Sequence, residues 1–161
     1  MNPRSESRWL IIDGNNLLHQ HPELSKTASQ DFDPARRELV RRLDELVGAL
    51  ASRITVVFDG KVGARPVDFE PSAVEVVFSP SHLTADSVIE RLAHEARERD
   101  RITVVSSDRL ERDTVEAAGV DSVSCRSFSE MMQTERARLM AQLRKTEGSR
   151  KATMLGDFFP D

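Results

Sequence analysis

The chain has 161 residues, of which 39% are hydrophobic and 31% charged, so it fits one folded domain rather than a disordered or collagen-like polymer. Its formal charge is -4, and basic residues exceed acidic ones only over residues 136–161, which excludes a protein that coats nucleic acid with a uniformly basic surface. The single cysteine, Cys125, excludes an intramolecular disulfide and a multi-cysteine zinc site and favours a reducing, cytoplasmic location.

The polar N-terminus, residues 1–8, is expected to be flexible. The apolar run that follows it ends at Asp13, so it is too short for the core of a signal peptide or for a membrane span, and we expect neither. We predict one domain over residues 9–147 and a C-terminal tail over residues 148–161, which is polar and then contains phenylalanine.

Short apolar runs rich in Val and Ile alternate with longer segments of helical periodicity, which predicts an α/β fold with a parallel sheet. Each run is bounded by polar or turn-forming residues, as expected for a buried strand. The predicted strands are Trp9 to Ile12, Ile54 to Phe58, Ala73 to Phe78, Ile102 to Ser106 and Val120 to Ser124.

Capping residues and apolar spacing predict four helices. The first begins after an N-cap at Asp33, with Pro34 in its first turn, and carries an apolar stripe that extends to Leu50. The second has Thr84 as its N-cap and ends near Asp100. The third and fourth span 108–118, before Gly119, and 127–147, where Ser127 and Glu130 form a capping box.

Four aspartates are predicted to lie at one edge of the sheet. Asp13 and Asp59 close the first two strands, Asp108 follows the fourth, and Asp86 begins the helix after the third. Since functional crevices of open α/β sheets lie outside the carboxyl ends of the strands, these side chains should share one crevice. Asn16, which follows Asp13 by three residues, is placed to orient a water molecule or a carboxylate there.

Each aspartate also has a purely structural explanation. Asp-Gly after a strand is a common turn, Asp108 with Glu111 resembles an N-cap box, and Asp86 is favoured by the helix dipole. Several carboxylates together are harder to explain, because two of them about 5 Å apart repel by ~3 kcal/mol at an effective dielectric of about 20. A divalent cation removes that repulsion, and an oxygen-only ligand set predicts Mg²⁺ or Mn²⁺ and hydrolysis of phosphodiesters.

These motifs resemble a known family. Ile12-Asp13-Gly14-Asn15-Asn16, Val57-Phe58-Asp59, Thr84-Ala85-Asp86 and Ser106-Ser107-Asp108 occur in the order and on the elements typical of the bacterial YacP-like NYN domains, which belong to the PIN-like nucleases. The resemblance extends from Trp9 to the fourth predicted helix. It departs at Asn15, where the family often has an aromatic residue.

The resemblance implies a three-layer domain with a five-stranded central parallel sheet flanked by helices, and an acidic Mg²⁺- or Mn²⁺-dependent site that cuts RNA. Asp13, Asp86 and Asp108 match the family's acidic positions as metal ligands, with Asp59 as the further acid that ends the second strand. Asn16 matches the Asn of the Asp-Gly-x-Asn motif. Relatives in this branch are associated with cutting messenger RNA on ribosomes, which implies the ribosome as a partner by analogy.

Basic residues near this edge are candidates for contacts with RNA phosphates. Lys61 and Arg65 follow Asp59, and Arg109 follows Asp108, while Arg36 and Arg37 lie in the first turn of the first predicted helix. A second basic group near the C-terminus is offset only by Glu147 and is suited to structured RNA: Arg136, Arg138, Arg144, Lys145, Arg150 and Lys151. Any of these side chains also serves simply as a solubilising surface charge.

The favoured hypothesis is a metal-dependent endoribonuclease that leaves a 5′-phosphate. The alternative is a noncatalytic RNA- or ribosome-binding adapter in which the acidic site is vestigial. A phosphatase with Asp13 as covalent nucleophile is less favoured, because the second aspartate expected two positions later is Asn15. Rossmann-type nucleotide binding is disfavoured, because no Gly-x-Gly-x-x-Gly follows the first strand.

Overall fold

The computed structural model describes residues 8–60 and 69–158, with only the backbone given for residue 100 and for residues 151–158. Residues 1–7 of the expected flexible N-terminus therefore lie outside the described residues. Arg8 is held in place, because its guanidinium donates to Thr103 Oγ1 and lies 3.4 Å from a carboxylate oxygen of Asp121.

All five predicted strands are present, with bounds within two residues of the prediction. They are β1 (Trp9–Asp13), β2 (Arg53–Phe58), β3 (Glu75–Phe78), β4 (Ile102–Val105) and β5 (Asp121–Val123). Every neighbouring pair is parallel, and the order across the sheet is β3-β2-β1-β4-β5. The chain therefore reverses its direction of progress across the sheet at β1, and the crevice between the carboxyl ends of β1 and β4 is the topological switch point where such folds place their sites.

The helices cover both faces of this sheet in three layers. They are α1 (Gly14–Gln20), α2 (Pro22–Gln30), α3 (Phe32–Leu46), α4 (Ala85–Glu95), α5 (Arg109–Ala117) and α6 (Cys125–Phe158). Helices α1, α2, α3 and α6 bury the larger apolar cluster on one face, and α4 and α5 bury a smaller one on the other. None of the helices within the described ranges is both long and apolar enough to cross a membrane.

The segment between β1 and α3 contains two helices that the sequence analysis left unassigned. Asp13 caps α1, whereas His21 caps α2 through Nδ1 and is followed by Pro22 in the first turn. With seven and nine residues, these helices are too short to show a persuasive period on their own. They are stabilised by burying leucines such as Leu17, Leu18 and Leu24 against the sheet.

Three boundaries of α3 and α4 differ from the prediction. Helix α3 is capped by Asp31 rather than Asp33, and it ends at Leu46 because Gly48 adopts a φ of 91° and its N–H turns to the carbonyl of Ala51. Helix α4 begins after Thr84 as predicted and ends at Glu95, before Asp100.

Helix α6 is longer than predicted at both ends. It begins at Cys125, and the hydroxyl of Ser124, not that of Ser127, accepts a first-turn backbone N–H. It continues past the predicted end at Glu147 through Gly148, which does not take the left-handed conformation that stops a helix. Residues 148–158 of the predicted tail are therefore helical, and residues 159–161 lie outside the described part of the chain.

Candidate acidic site at the switch point

Asp13 lies at the end of β1 and is almost fully buried, at 3% exposure. Asn16 holds both oxygens of its carboxylate: the backbone N–H donates to Oδ1 over 3.3 Å, and the side-chain amide donates to Oδ2 over 2.9 Å. Gly14 lets α1 start this close to the sheet, because a Cβ there would lie 2.4 Å from the ring of Phe58. The Asp-Gly-x-Asn sequence thus fixes one carboxylate at the mouth of the crevice.

Two other carboxylates approach Asp13 from α4 and α5, the helices that cover one face of the sheet. Asp86 is half-buried in the first turn of α4, and Glu111 is 2% exposed on α5. One oxygen from each of Asp13, Asp86 and Glu111 lies within 4.8 Å of the others. We call these three residues the acidic cluster. Among the described residues, no Lys or Arg forms an ion pair with any of them.

Ser106, fully buried after β4, links the cluster to its surroundings. Its hydroxyl donates to Glu111 Oε2 over 2.6 Å and accepts from the backbone N–H of Asp108 over 3.1 Å. The side-chain amide of Asn16 lies 3.5 Å from the same hydroxyl oxygen. The other oxygen of Glu111, Oε1, is buried without a hydrogen-bond partner in the described structure. A buried acceptor of this kind is a costly feature unless a ligand satisfies it.

Burial and the neighbouring carboxylates raise the pKa values of two of these residues, Asp13 and Glu111. Burial is the main cause that raises the pKa of Asp13 to about 7; the Asn16 N–H opposes this, and Asp86 and Asp108 add to it. Burial also raises the pKa of Glu111 to about 8, against the Ser106 hydrogen bond and with the help of Asp86 and Asp13. The same surroundings raise the pKa of the buried Cys125 thiol to about 12, so this thiol is not a nucleophile at neutral pH.

The donor set matches a hard divalent cation. The cluster offers only carboxylate oxygens, and the unpartnered Glu111 Oε1 gives one of them a free acceptor position. Mg²⁺ and Mn²⁺ prefer such ligands, whereas Zn²⁺ and Cu²⁺ sites are usually built with His or Cys. The residues present therefore fit the metal that the sequence analysis predicted.

The predicted acidic residues separate into two groups in the structure. Asp13, Asp86 and Asn16 come together as expected. Asp108 is exposed and caps α5, since its Oδ1 accepts from the N–H groups of Leu110 and Glu111 over 2.9 and 3.4 Å. Its structural explanation is thus the one observed, and it contributes to the cluster by its charge on Asp13. Asp59 follows β2, half-buried, and is likewise outside the three-carboxylate group.

The candidate RNA contacts divide in the same way. Arg37 and Arg109 are exposed, as a phosphate contact requires, whereas Lys61 and Arg65 lie outside the described residues. The prediction that Arg36 contacts RNA is corrected, because the residue is 1% exposed and cannot reach a phosphate in this conformation. Its guanidinium pairs with Asp33 over 2.9 Å and lies over the ring of Phe58, so apolar packing rather than solvent surrounds it.

Glu111 is the site residue that the sequence analysis missed, because it was assigned only to a capping box with Asp108. The sequence nevertheless contains a signal that Glu111 lies on a buried helix face. Val115 and Ala118 follow Glu111 at four and seven residues in the predicted third helix, which places Glu111 at the head of its apolar stripe. A carboxylate on the buried face of a helix is rare unless it is paired or functional.

Comparisons with known proteins agree with this architecture. A family model described as "YacP-like NYN domain" matches residues 10–157. The protein YacP of Bacillus subtilis is 27% identical over 146 residues, which are 89% of this chain and 85% of that protein. The crystal structure of Rae1 (YacP) from Bacillus subtilis superposes with a TM-score of 0.79 over 91% of this chain and 86% of that one.

A crystal structure of a mutant of that protein gives a TM-score of 0.73 at 27% identity, over 88% of this chain and 84% of the other. Sequence and fold therefore lead to the same assignment across nearly the whole chain. The chain belongs to the YacP-like NYN domain family, and its fold is of the PIN-like nuclease type.

Proposed function

We propose that this protein is a metal-dependent endoribonuclease that hydrolyses RNA phosphodiester bonds at the acidic cluster. The observation that carries the proposal is the convergence of Asp13, Asp86 and Glu111 within 4.8 Å at the switch point of the sheet, without a basic partner among the described residues. Three such carboxylates repel each other unless a cation or protons lie between them. Membership in a nuclease-type family makes phosphodiester hydrolysis the chemistry that best explains this convergence.

Asp13, Asp86 and Glu111 would hold Mg²⁺ or Mn²⁺. A cation held there would supply Lewis acidity toward the scissile phosphate and would lower the pKa of a water molecule, and hydrolysis of this kind would leave a 5′-phosphate on the product. Asn16 keeps Asp13 in one rotamer through two hydrogen bonds, and Ser106 orients Glu111 through one. Because the carboxylates are already oriented, little reorganisation is needed when the metal and the substrate arrive.

The exposed Arg37 and Arg109 are proposed to contact phosphates of the RNA strand, and Asp108 and Asp59 to tune the charge around the metal. The exposed basic side chains of α6 offer a second, more distant surface for structured RNA. We extend the proposal to messenger RNA on cytoplasmic ribosomes, since the motifs of this chain resemble those of a branch associated with that substrate.

The test is cleavage of a single-stranded RNA by the purified full-length chain, with Mg²⁺ or Mn²⁺, with EDTA, and with or without ribosomes. We expect metal-dependent cleavage that Asp13→Asn and Asp86→Asn each abolish, while the melting temperature is unchanged or raised because repulsion is relieved. Glu95→Gln, an exposed carboxylate on the same helix as Asp86, is the matched control and should cut normally.

Two results would reject the proposal: cleavage that survives EDTA, or variants that cut as well as the wild type. RNA binding without cleavage under every metal and partner condition would instead support the adapter, with the acidic cluster as a structural remnant.

A further inference from the structure

A second concave site lies away from the acidic cluster. A cavity of about 470 Å³ opens between α2, α3 and the middle of α6, and none of its lining residues belongs to the cluster. This volume falls in the range of sites for small organic ligands. Four lining residues, Met132, Arg136, Met140 and Arg144, follow each other at intervals of four along α6. They therefore form one stripe that faces the cavity.

His21 provides a buried donor in the cavity wall. It is 1% exposed, and its Nδ1 accepts the backbone N–H groups of Glu23 and Leu24 over 3.2 and 3.3 Å. The remaining nitrogen, Nε2, then carries the proton of the neutral ring, and it has no hydrogen-bond partner within the described ranges. Burial, together with the charge of Arg42, lowers the pKa of His21, which keeps it a neutral donor.

The charges that line the cavity do not cancel. Glu23 pairs with Arg42 over 2.7 Å, and Glu45 lies 3.8 Å from Arg41, so the acidic side chains already have cationic partners. Arg136 and Arg144 form no ion pair with any residue that the structure describes. The cavity therefore combines two uncompensated guanidinium groups and an imidazole N–H with the apolar side chains of α6 and Leu46.

We propose that this cavity binds a nucleoside monophosphate, with the phosphate held by Arg136, Arg144 and the Nε2–H of His21 and the base packed on the exposed side chain of Met140. A terminal phosphate has three oxygens for these three donor groups, whereas a carboxylate has two, and guanidinium groups bind phosphate oxygens in pairs. Methionine side chains adapt to flat apolar surfaces. The site is independent of the proposed nuclease activity, since it shares no residue with the acidic cluster.

The experiment is calorimetric titration of the full-length chain with adenosine 5′-monophosphate, and with adenosine and inorganic phosphate as partial probes. We expect saturable binding of the nucleotide, tighter than that of either probe. Arg136→Gln and Arg144→Gln should each weaken it by about 10-fold or more, as the loss of a charge-assisted hydrogen bond predicts.

Arg138→Gln is the matched control, because it removes the same charge from α6 at an exposed position that pairs with Glu135 and does not line the cavity. It should change the affinity by less than about 2-fold. Absence of saturable binding at millimolar nucleotide, adenosine that binds as tightly as its phosphate, or an equal loss with Arg138→Gln would each overturn the proposal.

Asp13→Asn should leave nucleotide binding intact. Loss of nuclease activity and loss of nucleotide binding are therefore separate outcomes, and either proposal can fail while the other stands. Nucleotide binding that disappears in Asp13→Asn but persists in Arg136→Gln would place the ligand at the acidic cluster and overturn the assignment of the cavity.

Discussion

Two regions of the molecule treat their charged residues in opposite ways. On the outer surface of α3, Glu38 contacts Arg41 over 2.6 Å and Arg42 over 2.9 Å, and these arginines lower the pKa of Glu38 to about 2. In the acidic cluster, the pKa values of Asp13 and Glu111 move upward to about 7 and about 8. The two regions contain the same kind of group but differ in whether a cation is part of the chain.

The opposite directions separate a structural role from a functional one. A carboxylate whose pKa is lowered stabilises the folded state when it ionises, whereas one whose pKa is raised destabilises the fold when it ionises. On the α3 surface, the charge of Glu38 is thus already compensated by arginines of the same helix. The acidic cluster is complete only with protons or with a metal ion, which is the property expected of a site rather than of a scaffold.

The largest expected effect comes from Glu111→Gln, which removes one charge from the cluster and keeps its shape. We expect cleavage of RNA to fall by about 100-fold or more, because a metal ligand is lost whose site stabilises the transition state by several kcal/mol. Activity is measured at saturating Mn²⁺. The matched control is Asp113→Asn, an exposed carboxylate on the same helix, which should retain activity. Equal losses in both variants would remove Glu111 from the site.

The next effect is on stability and its dependence on pH. Above about pH 4, the folded metal-free protein keeps a proton on Asp13 up to about pH 7 and on Glu111 up to about pH 8, whereas the unfolded chain has released both. The free energy of unfolding contributed by these groups therefore falls as the pH rises through this range. Mg²⁺ or Mn²⁺ should restore stability at pH 8 more than at pH 5, as urea unfolding would show.

Glu111→Gln isolates this contribution, because His21 acts in the other direction: its lowered pKa favours folding as the pH rises. The difference between wild type and variant is therefore the quantity to follow. It should grow from pH 5 to pH 8, with the variant becoming the more stable of the two in the absence of metal. A difference that is constant over this range would contradict the cause assigned to the raised pKa of Glu111.

Ser106→Ala tests how the cluster is held. The variant loses the hydroxyl that donates to Glu111 Oε2 and accepts from the N–H of Asp108. We expect cleavage to fall by about 10-fold, as for other groups that orient metal ligands, and the pH optimum to move upward because the hydrogen bond lowers the pKa of Glu111. Ser107→Ala, at the exposed neighbouring position, is the control. A drop without a change of pH profile would indicate only a structural role.

The sequence was sufficient for the sheet and for part of the site. Strands such as Ile54 to Phe58 are almost entirely apolar runs, and a parallel sheet buried on both faces produces such runs directly. Asp13 and Asp86 could be placed because the ends of parallel strands meet at one edge, whatever the details of packing. These predictions depend on local pattern and topology, which are both visible in the chain.

The features of the site that could not be predicted from the sequence depend on tertiary geometry. Whether Asp108 or Glu111 faces the crevice is decided by the rotation of α5 about its axis, and the Asp108 cap fixes that rotation so that Glu111 points inward. The burial of Arg36 likewise depends on Phe32 and Phe58, which come from two different elements. Periodicity gives the face of a helix but not the contact that the face finds.

The smallest expected effect concerns the α3 surface, where Glu38 is paired with Arg41 and Arg42. Arg42 is 14% exposed and pairs with both Glu23 and Glu38, so Arg42→Gln should lower the free energy of unfolding by about 1 kcal/mol. Arg41 is 57% exposed, and Arg41→Gln should cost only about 0.3 kcal/mol. Urea unfolding at pH 8 in EDTA measures both. Neutralising a charge on the α3 surface should lower the free energy of unfolding, whereas neutralising Glu111 should raise it. Changes of the same sign in both regions would contradict the distinction between a structural and a functional role.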